Sequence, residues 1–200
     1  MSLATTQTDI ANLALKSLGA EPIQSIDAAD SNSRLVRTFI DEVARQVQID
    51  INWPELLTVD YPTQYKENFG DSESLYRYQL PENFLSLVEI STPLYWEING
   101  NALITAAKDP QVIFKVYSDN VAAWSAELVE LTYKKLAAEI SMPITQNTQL
   151  VQMAAGKYEA RSRELKPIMK NRSRKKATTL RRFSYLQCRS YQNFGAGKYE

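Results

Sequence analysis

Histidine is absent from this chain of 200 residues. That absence removes the commonest general base, the commonest zinc ligand and every Ser-His or Cys-His nucleophile pair. Cysteine occurs once, at Cys188, so no disulfide can form within the chain. A lone thiol fits a reducing compartment and reads as incidental. The six glycines are scattered, and no glycine-rich phosphate loop occurs. Asp27, Asp30 and Asp41 lack calcium-loop spacing. Long apolar runs are missing too: none approaches the ~20 residues that span a bilayer. The opening "MSLATTQTDI" has no basic region followed by an apolar one, so it does not read as a signal peptide. No cofactor, metal or membrane partner is expected.

Net charge is also absent, but only as a sum. The chain has 23 Lys and Arg against 23 Asp and Glu. Twelve of the cations and two of the acids, Glu164 and Glu200, lie from residue 161 onward, a net of +10 there and −10 in 1–160. Such asymmetry points to two surfaces with different partners. With 44% apolar and 23% charged residues, the chain has the composition of an ordinary globular protein.

The period of the apolar residues changes twice. Ile10, Leu13, Ala14 and Leu18 mark a first helix, which Thr6, Thr8 or Asp9 can cap and Gly19 and Pro22 stop. Leu35, Phe39, Val43, Val47 and Ile51, with Val36 and Ile40, mark a second from Ser31 or Ser33 to about Asn52. Residues 57–117 turn to strand-forming composition, with turn residues at Asn68–Ser72. There Asn99-Gly100, between "YWEI" and "NALITA", predicts a hairpin with a two-residue type I′ turn. A long helix capped by Asp119 follows and is expected to break at Pro143. Thr145 then opens another, which Pro167 ends. Trp53, Trp96 and Trp124 are expected in the core.

The predicted class is α+β. Residues 1–56 and 118–167 form one helical body, 57–117 a small antiparallel β subdomain, and 168–200 an extended basic arm, with one short helix near Ala177–Tyr185 as the alternative. The arm carries Arg172, Arg174, Lys175, Lys176, Arg181 and Arg182, interleaved with Phe183, Tyr185, Tyr191 and Phe194. Those cations could neutralise phosphates and those rings could stack on bases. Arginine with large aromatics equally suits burial on a protein surface. No helix-turn-helix, zinc-finger or RNA-recognition signature accompanies them. Carboxylate-only hydrolysis of a polysaccharide remains the open enzyme class, with Asp41, Glu42, Glu127, Glu130 and Glu139 as its acids. Charged helix faces are more often simply solvated.

Several phrases in order resemble the tail tubular protein A, or head-to-tail adaptor, family of short-tailed bacteriophages. They are Leu18-Gly19, the connector from Ile23 to Ile26, Trp53 after the long helix, and Tyr78-Gln79-Leu80-Pro81. The hairpin of "NGNALITAAKDPQVIFKVY" and Leu136-Ala137-Ala138 leading to Pro143-Ile144-Thr145 complete the set. The resemblance covers about residues 8–166 and leaves the basic C-terminus unmatched. It implies a non-enzymatic virion protein of the neck, forming a ring, usually of twelve subunits, under the portal. The ring would join the portal to the next tail-tube (nozzle) protein, with DNA passing through the lumen without sequence-specific binding. The arm would dock on the portal, ordering as it binds, and the hairpin tip at Asn99 and Gly100 would touch the next tail component. The alternative is a nucleic-acid-binding module using the same arm.

Overall fold

A computed structural model describes residues 6–60, 64–66, 75–90 and 94–194, with 60, 64–66 and 180–194 as backbone alone. The described residues form four α-helices and two small antiparallel sheets, an α+β arrangement. The chain divides into two compact units, 1–56 with 117–170, and 57–116 with 171–200.

In the helical unit, α1 spans Gln7–Ser17. Thr6 Oγ1 accepts from the Asp9 amide and the Asp9 carboxylate accepts from the Thr6 amide, at 3.1 and 2.9 Å. This reciprocal capping satisfies two amides that a helix start leaves unpaired. The buried face is Ile10, Ala11, Ala14 and Leu15, while Leu13 is exposed. The face is therefore rotated by one position from the expected one. Asn12 holds the connector after α1, donating to Ile23 O and accepting from Ile23 N.

Asp30 caps α2, Ser31–Asp50, by accepting from the Ser33 amide. The hydroxyl and amide of Ser33 hold the Asp30 carboxyl below its usual range. Val36, Ile40, Val43, Ala44 and Val47 are buried, and Leu35 and Phe39 pack at the margin. Trp53 lies in the core and donates its indole N–H to Val47 O at 2.9 Å. That bond satisfies one of the carbonyls that the last turn of α2 leaves free.

Buried Gln48 faces the returning chain. It donates to Ser118 O at 2.8 Å and accepts from Ser118 N at 3.0 Å. Glu55 accepts from Ser125 N in the same way. Ser125, not Asp119, caps α3, Ala126–Thr145. A short 3-10 turn, Val121–Ala123, separates the two residues. The helix runs through Pro143 and stops at Gln146, whose φ of +50° is left-handed and whose amide bonds Met142 O. Only two helical residues follow Pro143, so its missing amide costs a helix already near its end.

α4 spans Thr148–Phe194. Asn147 opens it in place of the expected Thr145, accepting from the amides of Gln149 and Leu150. Pro167 does not end it, and 168–194 is helix rather than an extended arm. Pro167 and Arg163, whose carbonyl loses its partner, are both exposed, so water can satisfy that carbonyl. The buried stripe continues across it: Ala154, Ser162, Leu165, Met169, Ser173 and Ala177.

The second unit contains two sheets. The first has order β1-β7-β4, from Leu57–Asp60, Val112–Val116 and Phe84–Ile90. The other has order β2-β3-β6-β5, from Gln64–Lys66, Tyr76–Gln79, Ala102–Thr105 and Trp96–Asn99. Tyr78, Leu80 and Leu103 share a core with Val112 and Phe114. Tyr78 O–H donates to Ala107 O and accepts from Asp109 N, which pins a loop whose Asp109 has φ +53°. Ala177 of α4 packs with Leu57 and Ile113. The turn expected at Asn68–Ser72 lies outside the described residues.

The predicted hairpin is β5–β6, shifted by one residue. Asn99 pairs with Ala102, so Gly100 and Asn101 form the two-residue loop. Gly100 has φ +58° and Asn101 is not left-handed. A positive φ at the first loop position only belongs to type II′, which places glycine there, rather than to I′.

Gln48→Leu should lower unfolding stability by about 1–3 kcal/mol, because it strands the amide and carbonyl of half-buried Ser118. Urea denaturation followed by circular dichroism measures it. A loss under about 0.5 kcal/mol would mean that Ser118 finds other partners.

Candidate interaction surfaces

The candidate acids are engaged with neighbours. Glu130 Oε1 accepts from Lys134 Nζ at 2.6 Å, and its Oε2 accepts from both Nε and Nη2 of Arg161 at 3.0 and 2.8 Å. Glu139 pairs with Lys135. Asp41 accepts from Gln7 and lies with Glu42, Arg45, Tyr117 and Asp119 on an open cleft of about 430 Å³. Arg45 stacks over the Tyr117 ring at 4.9 Å. Burial, then the Asp41 charge, pushes the Tyr117 hydroxyl above its usual range. Among the described residues no group of three metal-capable side chains comes together. No helix among them is long and apolar enough to cross a membrane.

The cations sort differently on a helix than on an extended chain. The ten steps from Arg172 to Arg182 rise only about 15 Å along α4. Arg174 and Arg181 are seven apart, as are Lys175 and Arg182, so each pair shares a face. Ser173 and Ala177 take the buried side, while Arg172, Arg174 and Lys175 are exposed and Lys176 is half-buried. Arg181, Arg182, Phe183, Tyr185, Tyr191 and Phe194 fall within α4. Their side chains, and Cys188, lie outside the described ones.

The hairpin presents a surface of the opposite chemistry. Leu94, Tyr95, Trp96 and Ile98 are exposed, at 48, 56, 44 and 39%. Trp96 is thus a surface residue and not the core residue expected, whereas Trp53 and Trp124 are buried. Its position explains this. Trp96 pairs with buried Thr105 and Ile98 with buried Leu103, so they share the apolar face of β6. But β5 is the last strand of its sheet, and the core cover stops at β6. Of the expected contact residues, Gly100 is in the loop and Asn99 ends β5. The apolar exposure sits along the strand and not at the tip.

A smaller groove of about 220 Å³ runs between α1, α3 and the start of α4. Leu18, Tyr133, Leu150 and Met153 line it, with Lys134 and Lys157 alongside. No protein-family model matches this chain, and no curated protein matches it.

Glu130 supplies a test of how α3 is tied to α4. Burial raises its carboxyl pKa, but the hydrogen bonds and charges of Lys134 and Arg161 outweigh this and hold it below the usual carboxylate range. A lowered folded pKa stabilises fully above the unfolded pKa and is lost as pH falls through the folded one. Glu130→Gln should therefore cost about 1–2 kcal/mol at neutral pH, a modest figure because the pair is partly solvated. The gap between variant and parent should narrow progressively as pH falls below the ordinary glutamate value of about 4.3. A gap that stayed constant down to acid pH would assign the loss to packing.

Proposed function

We propose that this chain is a head-to-tail adaptor of a short-tailed phage: a structural virion protein that forms a dodecameric ring beneath the portal. It joins the portal to the next tail-tube protein by protein–protein contacts. The observation that carries this reading is the pair of unlike surfaces on one chain, a cationic helix and a bare apolar strand. A connector needs two partners, and each surface suits a different one. The cationic part of α4 faces the portal, and the β5–β6 hairpin faces the next tail component. The ordered resemblance over residues 8–166 supplies the identity of those partners. The net −10 of residues 1–160 supports a channel wall that lets DNA slide, since a negative wall does not grip phosphates.

A second reading draws on the same helix. Cations at 174, 175, 181 and 182, concentrated in one short helical stretch, also suit a phosphate backbone. In that case the protein is a nucleic-acid-binding accessory module.

The decisive experiment mixes the purified chain with portal rings of its phage and images the mixture by negative stain. The parent protein should add a ring below the portal. Arg181→Glu with Arg182→Glu should leave the circular-dichroism spectrum and melting unchanged and reduce portal docking by roughly tenfold or more. A truncation after Thr179 serves as the second variant, because it keeps buried Met169, Ser173 and Ala177. Normal docking by both variants would overturn the role of the helix. Duplex DNA binding that weakens steeply with salt, without any ring on the portal, would favour the second reading.

A further inference from the structure

The outer edge of β5 carries one more observation than its apolar side chains: the strand is complementary to itself. Ala106 N donates to Tyr95 O, so 95 and 106 form a hydrogen-bonded pair of the β5–β6 ladder. Bonded pairs alternate in an antiparallel ladder, so the backbone groups of Tyr95, Glu97 and Asn99 face β6. Those of Trp96 and Ile98 face outward, and Leu94 stands at a bend just before the strand. Among the described residues β5 has β6 as its only strand neighbour. Such edges are usually blunted by lysine, proline or a bulge. Between Leu94 and Asn99 the only charge is Glu97, and the β5–β6 register has no irregularity.

We infer that β5 pairs antiparallel with β5 of a second copy of this chain, in the register centred on Trp96. Three features select that register. It opposes Trp96 to Trp96 of the second copy as a bonded pair and brings Leu94 against Ile98 in both directions. It matches the apolar face of one strand to the apolar face of the other. On the opposite face it sets Tyr95 against Glu97, the two side chains already joined within one strand by the Tyr95 O–H donating to Glu97 Oε2 at 2.5 Å. The neighbouring register, centred on Glu97, places Glu97 against Glu97. Like charges directly opposite each other are unfavourable. A parallel arrangement would lose the bonded-pair match altogether. Pairing across a two-fold axis closes on itself and covers both edges at once. The inference goes beyond the adaptor reading and does not depend on it. Under that reading the pair would have to open before a tail component could use the same edge.

The test uses the full chain with Cys188→Ser as background. Tyr95→Cys and Glu97→Cys proteins are prepared separately, mixed and oxidised gently, and the covalent dimers are resolved by non-reducing electrophoresis. Residues 95 and 97 oppose each other as a non-bonded pair, where Cα atoms lie about 4.5 Å apart and a disulfide can close. The mixture should give a heterodimer at least several-fold more abundant than the homodimer from either protein alone. No dimer, or equal dimer from every combination, would overturn the register. In a second arm, Trp96→Lys should weaken self-association by roughly tenfold or more, since it sets two cations opposite each other at the two-fold. Its circular dichroism and melting should match the parent, because Trp96 is not in the core. Undiminished association of a folded Trp96→Lys protein, by sedimentation, would overturn the interface. Ring formation on portals is read separately, so either idea can fail without the other.

Discussion

The structure depends on how the chain leaves its helical unit and comes back. Sixty residues, 57–116, interrupt a helical unit that resumes at Tyr117. Unless the two ends of that insertion are fixed, α3 cannot find α2. Gln48 fixes one crossing by bonding both backbone groups of Ser118, and Glu55 fixes another through Ser125 N. Both clamps join residues 70 apart, so they close a long loop. The entropy of closing such a loop grows only slowly with its length. A few well-made, part-buried bonds can therefore hold it, provided that apolar packing follows. It does: Val121, Trp124, Leu128 and Leu131 join the core of α1 and α2 immediately after the clamps.

Helix α4 then depends on α3. Arg161 reaches Glu130 with two nitrogens while Lys134 bonds the other carboxylate oxygen. Leu165 and Met169 continue the same contact into the core. With the helix held on both sides of Pro167, the proline removes one exposed amide bond but no packing. That is why it is tolerated in the interior of a helix, where it would otherwise be costly.

Much of this was legible in the sequence, and the failures have physical causes. The stripes of α2 and the switch to strand composition at 57 follow from periodicity. The capping box at Thr6 and Asp9 follows from residue type and spacing. Pro143 and Pro167 misled because a proline's cost depends on where its missing amide falls, which sequence alone does not give. The stripe beyond 168 was hidden for a second reason. It is carried by Met169, Ser173 and Ala177, and two of those are small residues that a hydrophobicity pattern does not register, although both are buried. Trp96 was misplaced because tryptophan is usually core. Its exposure follows from β5 lying at the end of a sheet, a fact of topology. The Gln48 clamp left no signal at all, since a lone glutamine in a helix resembles any solvated one.

The helical state of residues 172–182 changes what that segment can do energetically. An extended arm pays conformational entropy for each residue it orders on a partner. A segment already in a helix has paid it during folding, so more of its contact energy is available for affinity. It also fixes the spacing of its cations, one face repeating every seven residues, where an extended arm would adapt to any surface. Preformed spacing favours a partner whose acidic groups match that repeat, and it penalises an irregular one. A cationic segment that is helical before it binds is thus a more selective device than its composition alone suggests. Selectivity of that kind is required more of a joint between two protein rings than of a tether to nucleic acid.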